Sequence, residues 1–173
     1  MIIPCGSFQL RSFQPGDVDS MARYANNFNI WLNLRNSFPY PYSPADAAAF
    51  IGVCRHQQPP SNLCIDLNGE CVGVVGFIPQ PDVYRKTADL GYWLGEPFWG
   101  KGIMTTAVKK TTEYIFEQFD IIRIFAGVFS WNPASMNVLK KAGFTEECVF
   151  RKSIFKNGHI LNEHRFCLLR DKE

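Results

Sequence analysis

Residues 88–106 read ADLGYWLGEPFWGKGIMTT, and the order of residue types in this stretch decides the fold. The run from Thr87 to Leu94 is read as a strand. Gly95, Gly100 and Gly102 then interrupt any regular pattern. From Lys101 to Phe119 a helix is predicted, because Met104, Val108, Thr111, Ile115 and Phe119 recur on one face at helical spacing. A strand that stops, a glycine loop and a helix that starts leave backbone N–H groups unsatisfied at the helix N-terminus, where the dipole also favours negative charge. Such a terminus is a site for a phosphate or pyrophosphate. Glycine suits it because no Cβ blocks the approach of a ligand.

Two nucleotide signatures can be tested against these letters. A P-loop needs Ser or Thr after its lysine, to hold magnesium, and Gly102 follows Lys101 instead. A dinucleotide fingerprint needs a third glycine where Thr105 stands, and an acidic residue ending the next strand, which is lacking. An ATP-binding reading of the Gly100–Gly102 loop is therefore disfavoured.

Outward from the loop, Ile121 to Phe129 is nearly continuous in apolar residues and predicts a strand buried on both faces. Asn132 and Pro133 open a further helix as N-cap and first residue, and Gly143 closes it. Phe144 to Phe155 and Ile160 to Leu169 are strands joined by a turn at Asn157-Gly158, as Leu63 to Leu67 and Cys71 to Ile78 are joined at Asn68-Gly69. Nearer the start, Ser7 to Phe13 alternates as a strand, Asp17 to Asn26 reads as a short helix, and Ser43 with Pro44 starts a helix carrying Ala47, Ala48, Ile51 and Cys54. Asn26 to Tyr42 is read as irregular, since Pro39, Pro41 and Pro44 oppose a regular helix. The resulting order, β α α β β β α β α β β, places a parallel crossover at its centre. The class is α/β (α+β).

The chain has 173 residues, which fits one domain over 1–173. Apolar residues make up 46% and charged residues 20%, a globular balance. A net charge of +2 without a basic run argues against nucleic acid as a partner. The start, MIIPCGSFQLRSF, lacks the pattern of a signal peptide, and no apolar run is long enough to span a bilayer. Cys5, Cys54, Cys64, Cys71, Cys148 and Cys167 form no C-x-x-C pair, so no metal site is expected. A cytoplasmic protein with reduced thiols is the expectation.

At Gly100-Lys101-Gly102 the sequence resembles the GNAT superfamily of N-acetyltransferases, whose cofactor signature is [Q/R]-x-x-G-x-[G/A] at a strand-to-helix junction. Pro97 stands at the first position of that signature. LGYWLGEPFWGKGIMTTAV, NPASMNVLKKAGF (Asn132 to Phe144) and the terminal hairpin are similar to the branch of ribosomal-protein alanine acetyltransferases, the RimJ and RimL type. The resemblance implies a mixed sheet of about seven strands flanked by about four helices, splayed between the fourth and fifth strands. It implies acetyl-coenzyme A as co-substrate. The pantetheine arm would pair with backbone at Tyr92, Trp93 and Leu94. The pyrophosphate would rest on amides of Trp99, Gly100, Lys101, Gly102, Ile103, Met104 and Thr105.

Acetyl transfer needs a neutral amine, donors for the developing oxyanion and a proton for the leaving thiolate. By resemblance Asn132 contacts the pantetheine arm, beside its duty as N-cap, and Ser135 protonates the thiolate. Other members use a Tyr where Leu139 stands, and RimL-like enzymes carry a basic Glu where Ile154 stands. Asp89 is the first substitute as base; Glu163, a water chain or solvent are the others. The acceptor is expected at the loop before the second helix, with Arg35 pairing a carboxylate and Trp31, Asn36, Phe38, Tyr40 and Tyr42 around it. The preferred acceptors are a protein N-terminus or a small amine of modest charge. The expected assembly is a monomer or homodimer. The competing reading is a coenzyme A-binding sensor or partner module without catalysis.

Overall fold

The computed structural model describes residues 1–170. Its strands are β1 (Ile2–Pro4), β2 (Gln9–Arg11), β3 (Asn62–Leu67), β4 (Glu70–Pro79), β5 (Thr87–Leu94), β6 (Arg123–Phe129), β7 (Thr145–Lys156) and β8 (His159–Leu169). Its α-helices are α1 (Val18–Ala25), α2 (Phe28–Trp31), α3 (Pro44–Cys54), α4 (Ile103–Gln118) and α5 (Pro133–Lys141). The strands form one mixed sheet in the order β1-β2-β3-β4-β5-β6-β8-β7. The chain divides into two compact units, residues 1–76 with 92–107, and residues 77–91 with the stretch from 108 onward. Among the described residues no helix is long and apolar enough to cross a membrane.

In the first unit β1, β2, β3 and β4 pair antiparallel in sequence. The β3–β4 turn has Asn68 at φ +55° and Gly69 at φ +86°, the geometry for which Asn-Gly is selected. Ser43 caps α3 reciprocally: its hydroxyl accepts from the Asp46 N–H (3.2 Å) and its own N–H donates to the Asp46 carboxylate (2.8 Å). Phe13, Met21, Ala25, Ile30, Tyr42, Ile51, Cys54, Val74 and Trp93 are among the buried residues that build this unit's core. Beside it Arg11 donates to both oxygens of Asp17 (2.7 and 2.8 Å) and through Nε to Asp66 (2.6 Å). All three are buried. Burial of a charge is tolerable only with such pairing, so the network fixes β2, the entry to α1 and β3 together.

In the second unit β5 and β6 are parallel over Thr87–Asp89 and Arg123–Phe125. β5 then continues to Leu94 and β6 to Phe129, where its partner is β8. β7 and β8 form the terminal hairpin, turning at Asn157 (φ +48°) and Gly158 (φ +80°).

Three expectations change. The segment Ile2–Pro4 is an additional strand too short to show a pattern. The irregular stretch contains α2, whose N-cap Asn27 accepts from the N–H groups of Asn29 (2.8 Å) and Ile30 (3.2 Å). β6 is not buried on both faces: Ile124, Ala126 and Val128 are buried while the alternate positions are not. The cause is what β8 lays over those alternate positions. The Arg165 guanidinium sits 4.8 Å from the Phe125 ring centre, and the Glu163 carboxylate lies against Gly127. A Cβ at Gly127 would stand 2.7 Å from that carboxyl carbon.

Candidate functional site

The glycine loop belongs to the first unit and is fixed by its own chain before α4 begins. As β5 ends, the Gly95 N–H donates to the Val72 carbonyl (2.8 Å). One 3-10 turn follows, Glu96–Phe98, closed by the Trp99 N–H on the Glu96 carbonyl (3.1 Å). The Trp99 indole N–H reaches back to the Leu94 carbonyl (2.6 Å). Phe98 meets Tyr24 edge-on at 5.1 Å, which braces the turn on α1.

Gly100 and Gly102 both adopt left-handed φ, +74° and +77°. A side chain at either would be strained, although among the described residues no heavy atom beyond the chain neighbours lies within 4 Å of the position its Cβ would take. The two glycines therefore combine a conformation only glycine holds easily with an open approach to the backbone. The Thr106 N–H donates to the Gly102 carbonyl (3.1 Å), so Gly102 starts α4. The amides of Ile103, Met104 and Thr105 are consequently the first-turn donors without an acceptor inside the helix. The first turn carries no acidic residue. The ammonium of Lys101 lies 5.7 Å from the Phe98 ring centre. Open amides, positive dipole end and a neighbouring lysine fit a pyrophosphate. The Trp99 amide, expected in this cradle, is engaged by Glu96. Trp93 and Leu94 bury their side chains, so backbone is what β5 has to present there. Tyr92 is half-buried.

The same unit holds the residues expected at the acceptor, and it sorts them into two groups. Trp31 and Tyr40 join Phe28 in a cluster of three rings, with centres 5.5 to 5.8 Å apart. Phe28 is 43% and Tyr40 46% exposed. Phe38 instead packs on Tyr42 (4.8 Å) and Trp93 (6.1 Å), anchoring the loop to the core. Tyr42 is buried, and its N–H is held by the Asn26 side chain (3.0 Å). Arg35 and Asn36 are exposed in the turns after α2. Phe28 and Glu96 were missing from the sequence reading. Glu96 accepts from the amide groups of Asn27 (2.6 Å) and Asn29 (3.2 Å), which flank Phe28. The Asn27 cap was readable as a short polar residue before an apolar one; its carboxylate partner, far along the chain, had no local signal.

In the second unit Asn132 caps α5, its side-chain oxygen accepting the Ser135 N–H at 3.1 Å. Ser135 thus stands in the first turn, as predicted, and is half-buried. Leu139 is fully buried, so the position where other members place Tyr is a packing position here. Asp89 lies half-buried in β5 at the last rung shared with β6, opposite Phe125. Glu163 is neutralised by Arg165, whose Nε donates at 3.0 Å. His164 meets Glu146 at 2.8 Å, on the β8 face opposite to Glu163. Ile154 pairs with Leu161 just past a register shift in β7.

A glycine-lined helix start that suits a pyrophosphate, entered from a strand of a mixed α/β sheet, is the architecture of a class of acyl-group transferases. Residues 8–145 match the profile described as "Acetyltransferase (GNAT) domain", and the chain belongs to that family. The Probable N-acetyltransferase YjcK of Bacillus subtilis (strain 168) is 47% identical over 80 residues, covering 46% of this chain and 44% of the relative. The chain spans about half the length of the first curated relatives it matches. The Spermidine N(1)-acetyltransferase of Escherichia coli (strain K12) is 24% identical over 94% of this chain and 86% of its own length. Among solved structures, RimL, a ribosomal L7/L12 alpha-N-protein acetyltransferase in complex with coenzyme A, shares the fold with a TM-score of 0.85 at 24% identity, covering 99% of each chain.

Proposed function

We propose that this chain, acting as one domain, transfers the acetyl group of acetyl-coenzyme A to a primary amine by direct attack in a ternary complex. The observation that carries the reading is the Gly100–Gly102 segment, where two left-handed glycines open the first-turn amides of α4 to an anion. The amine nitrogen forms a bond to the thioester carbonyl carbon and the C–S bond breaks. Ser135, held in the first turn of α5 by the Asn132 cap, supplies a proton to the departing thiolate. Asp89 or solvent takes the proton lost by the amine. Asp89, half-buried at the last rung that β5 shares with β6, is the first candidate for this role, and Glu163 on β8 the second.

The acceptor is a protein N-terminus or a small amine of modest charge. The support is the cluster of Phe28, Trp31 and Tyr40, with Arg35 exposed nearby in sequence. The spermidine acetyltransferase named above acts on a polyamine. Here residues 26–44, the loop expected to shape the acceptor end, contain no acidic residue, which does not suit a multiply charged cation. Six cysteines without a disulfide suit a reducing cytoplasm. A coenzyme A-binding module without catalysis is the second reading, supported by Ile154 and Leu139 where relatives carry reactive groups.

Thermal unfolding with acetyl-coenzyme A, and with ATP as control, tests the cofactor. A ligand at about 100 times its Kd adds ~2.7 kcal/mol, a rise of roughly 5–10 °C for a chain of this size. No rise with acetyl-coenzyme A refutes the proposal. A rise without thiol release, over peptides with free N-termini and a panel of small amines, selects the second reading.

A further inference from the structure

The acceptor helix and the glycine loop of the first unit share one carboxylate. Asn27 and Asn29 stand on either side of Phe28. Asn27 uses its oxygen to cap α2 and its amide N–H to reach Glu96 Oε2 at 2.6 Å. Asn29 donates to both oxygens of the same carboxylate, at 3.3 and 3.2 Å. Glu96 is also the first residue of the turn that leads into the glycines, and its carbonyl receives the Trp99 N–H. One residue thus grips α2 through its side chain and Trp99 through its backbone.

A helix of four residues has no stability of its own and depends on tertiary ties for its orientation. Ile30, buried in the core, is one such tie, and the charge-assisted bonds to the Glu96 carboxylate are another. Phe28 lies between the two asparagines that bond Glu96, and Trp31 ends the helix. Whatever stiffens or shifts the turn before Gly100 therefore acts on the residues that carry the rings.

We infer that Glu96 is a positioning residue that transmits occupancy of the glycine loop to α2, so that coenzyme A binding orders the aromatic acceptor surface. This rests on the reading of the chain as an acetyltransferase. By linkage the coupling is reciprocal: a ligand that orders α2 strengthens binding at the glycine loop by the same factor.

Hydrogen exchange of the full chain, with coenzyme A as the probe, tests it without knowledge of the acceptor. In the wild type, coenzyme A slows exchange at 103–106 and also at 28–32, the latter by at least about fivefold, the lower end of ordinary coupling. In Glu96→Ala, which removes both accepting oxygens, the slowing at 103–106 remains and that at 28–32 is lost. Asn29→Ala gives the same result with the Asn27 cap intact. A loss of fold would raise exchange in both segments without ligand, and a purely structural role would leave the ligand response at 28–32 unchanged. Equal slowing at 28–32 in the wild type and both variants overturns the inference, as does protection of 103–106 alone in the wild type. Protection of neither segment in the wild type refutes the cofactor reading, and the inference falls with it.

Discussion

Replacing Asn132 by Ala and by Asp separates its two duties. The structure gives its side-chain oxygen one partner, the Ser135 N–H at 3.1 Å, at the entry to α5. Loss of an asparagine N-cap costs ~1 kcal/mol, so Asn132→Ala lowers the unfolding temperature by roughly 2–4 °C in a chain of this length. Asn132→Asp keeps an accepting oxygen in the same place, and its charge suits the helix N-terminus; the unfolding temperature stays at the wild-type value or slightly above. If Asn132 also donates its amide to the pantetheine arm, Asp removes that donor. A lost neutral hydrogen bond of ~1 kcal/mol corresponds to about fivefold weaker acetyl-coenzyme A binding. The assay is thermal unfolding of the three proteins alongside calorimetric titration with acetyl-coenzyme A. An Asp variant that binds as tightly as the wild type makes Asn132 a cap only. An Ala variant of unchanged stability refutes the capping argument itself.

Four further substitutions probe the first unit. Gly102→Ala forces an L side chain to φ +77° with nothing to clash against, so its stability cost is the backbone term alone, ~1–2 kcal/mol; an unchanged urea midpoint would contradict the left-handed geometry. Burial raises the Asp66 carboxyl, but bonds from Arg11, Gln9 and the Gly69 N–H outweigh it and hold the group below the usual carboxylate range. A depressed carboxylate stabilises the fold above its unfolded pKa of about 3.9, and that contribution is lost as pH falls through the lower folded value. Asp66→Asn therefore flattens the loss of stability below about pH 4 while costing ~1–3 kcal/mol at pH 7, because Arg11 keeps Asp17 but loses its charged acceptor on β3; denaturant melts across pH that keep the wild-type slope would sink this account. Tyr40→Ala is expected to raise the acceptor KM several-fold at nearly constant stability, whereas Phe38→Ala lowers stability by ~2 kcal/mol through lost packing on Tyr42 and Trp93. Similar melting temperatures for both variants would show that the loop does not divide as described.

Features set by neighbours in the chain were readable from the sequence. The glycine loop, the Ser43 and Asn132 caps and the two Asn-Gly turns each need only a few consecutive residues, and each stands where it was expected. The helix face of Met104, Val108, Thr111 and Ile115 is buried as its spacing implied. α2 escaped because four residues among prolines carry no periodic signal, and its stabilising contact comes from Glu96, 67 residues beyond Asn29. β6 was misjudged for a related reason. Its apolar composition is real, but half of it lies under the charged residues that β8 brings from far along the chain.

The proton acceptor is the residue that sequence served worst, and the hairpin of β7 and β8 shows why. Side-chain direction along a strand follows a period of two, so a single inserted residue reverses the phase of everything beyond it. β7 shifts register twice, between Glu146 and Cys148 and between Phe150 and Ile154, with Lys152 at φ +54° in the second interruption. Alternation counted along β7 from either end therefore does not tell which carboxylate shares a face with which strand. β8 has no such shift against β6, and there the phase holds: Glu163 with Arg165 on one face, His164 with Phe166 on the other. The structure pairs Glu163 with Arg165 and His164 with Glu146. Asp89 belongs to β5, whose burial alternates without interruption from Thr87 to Leu90, so its phase can be counted along the strand without correction for a bulge.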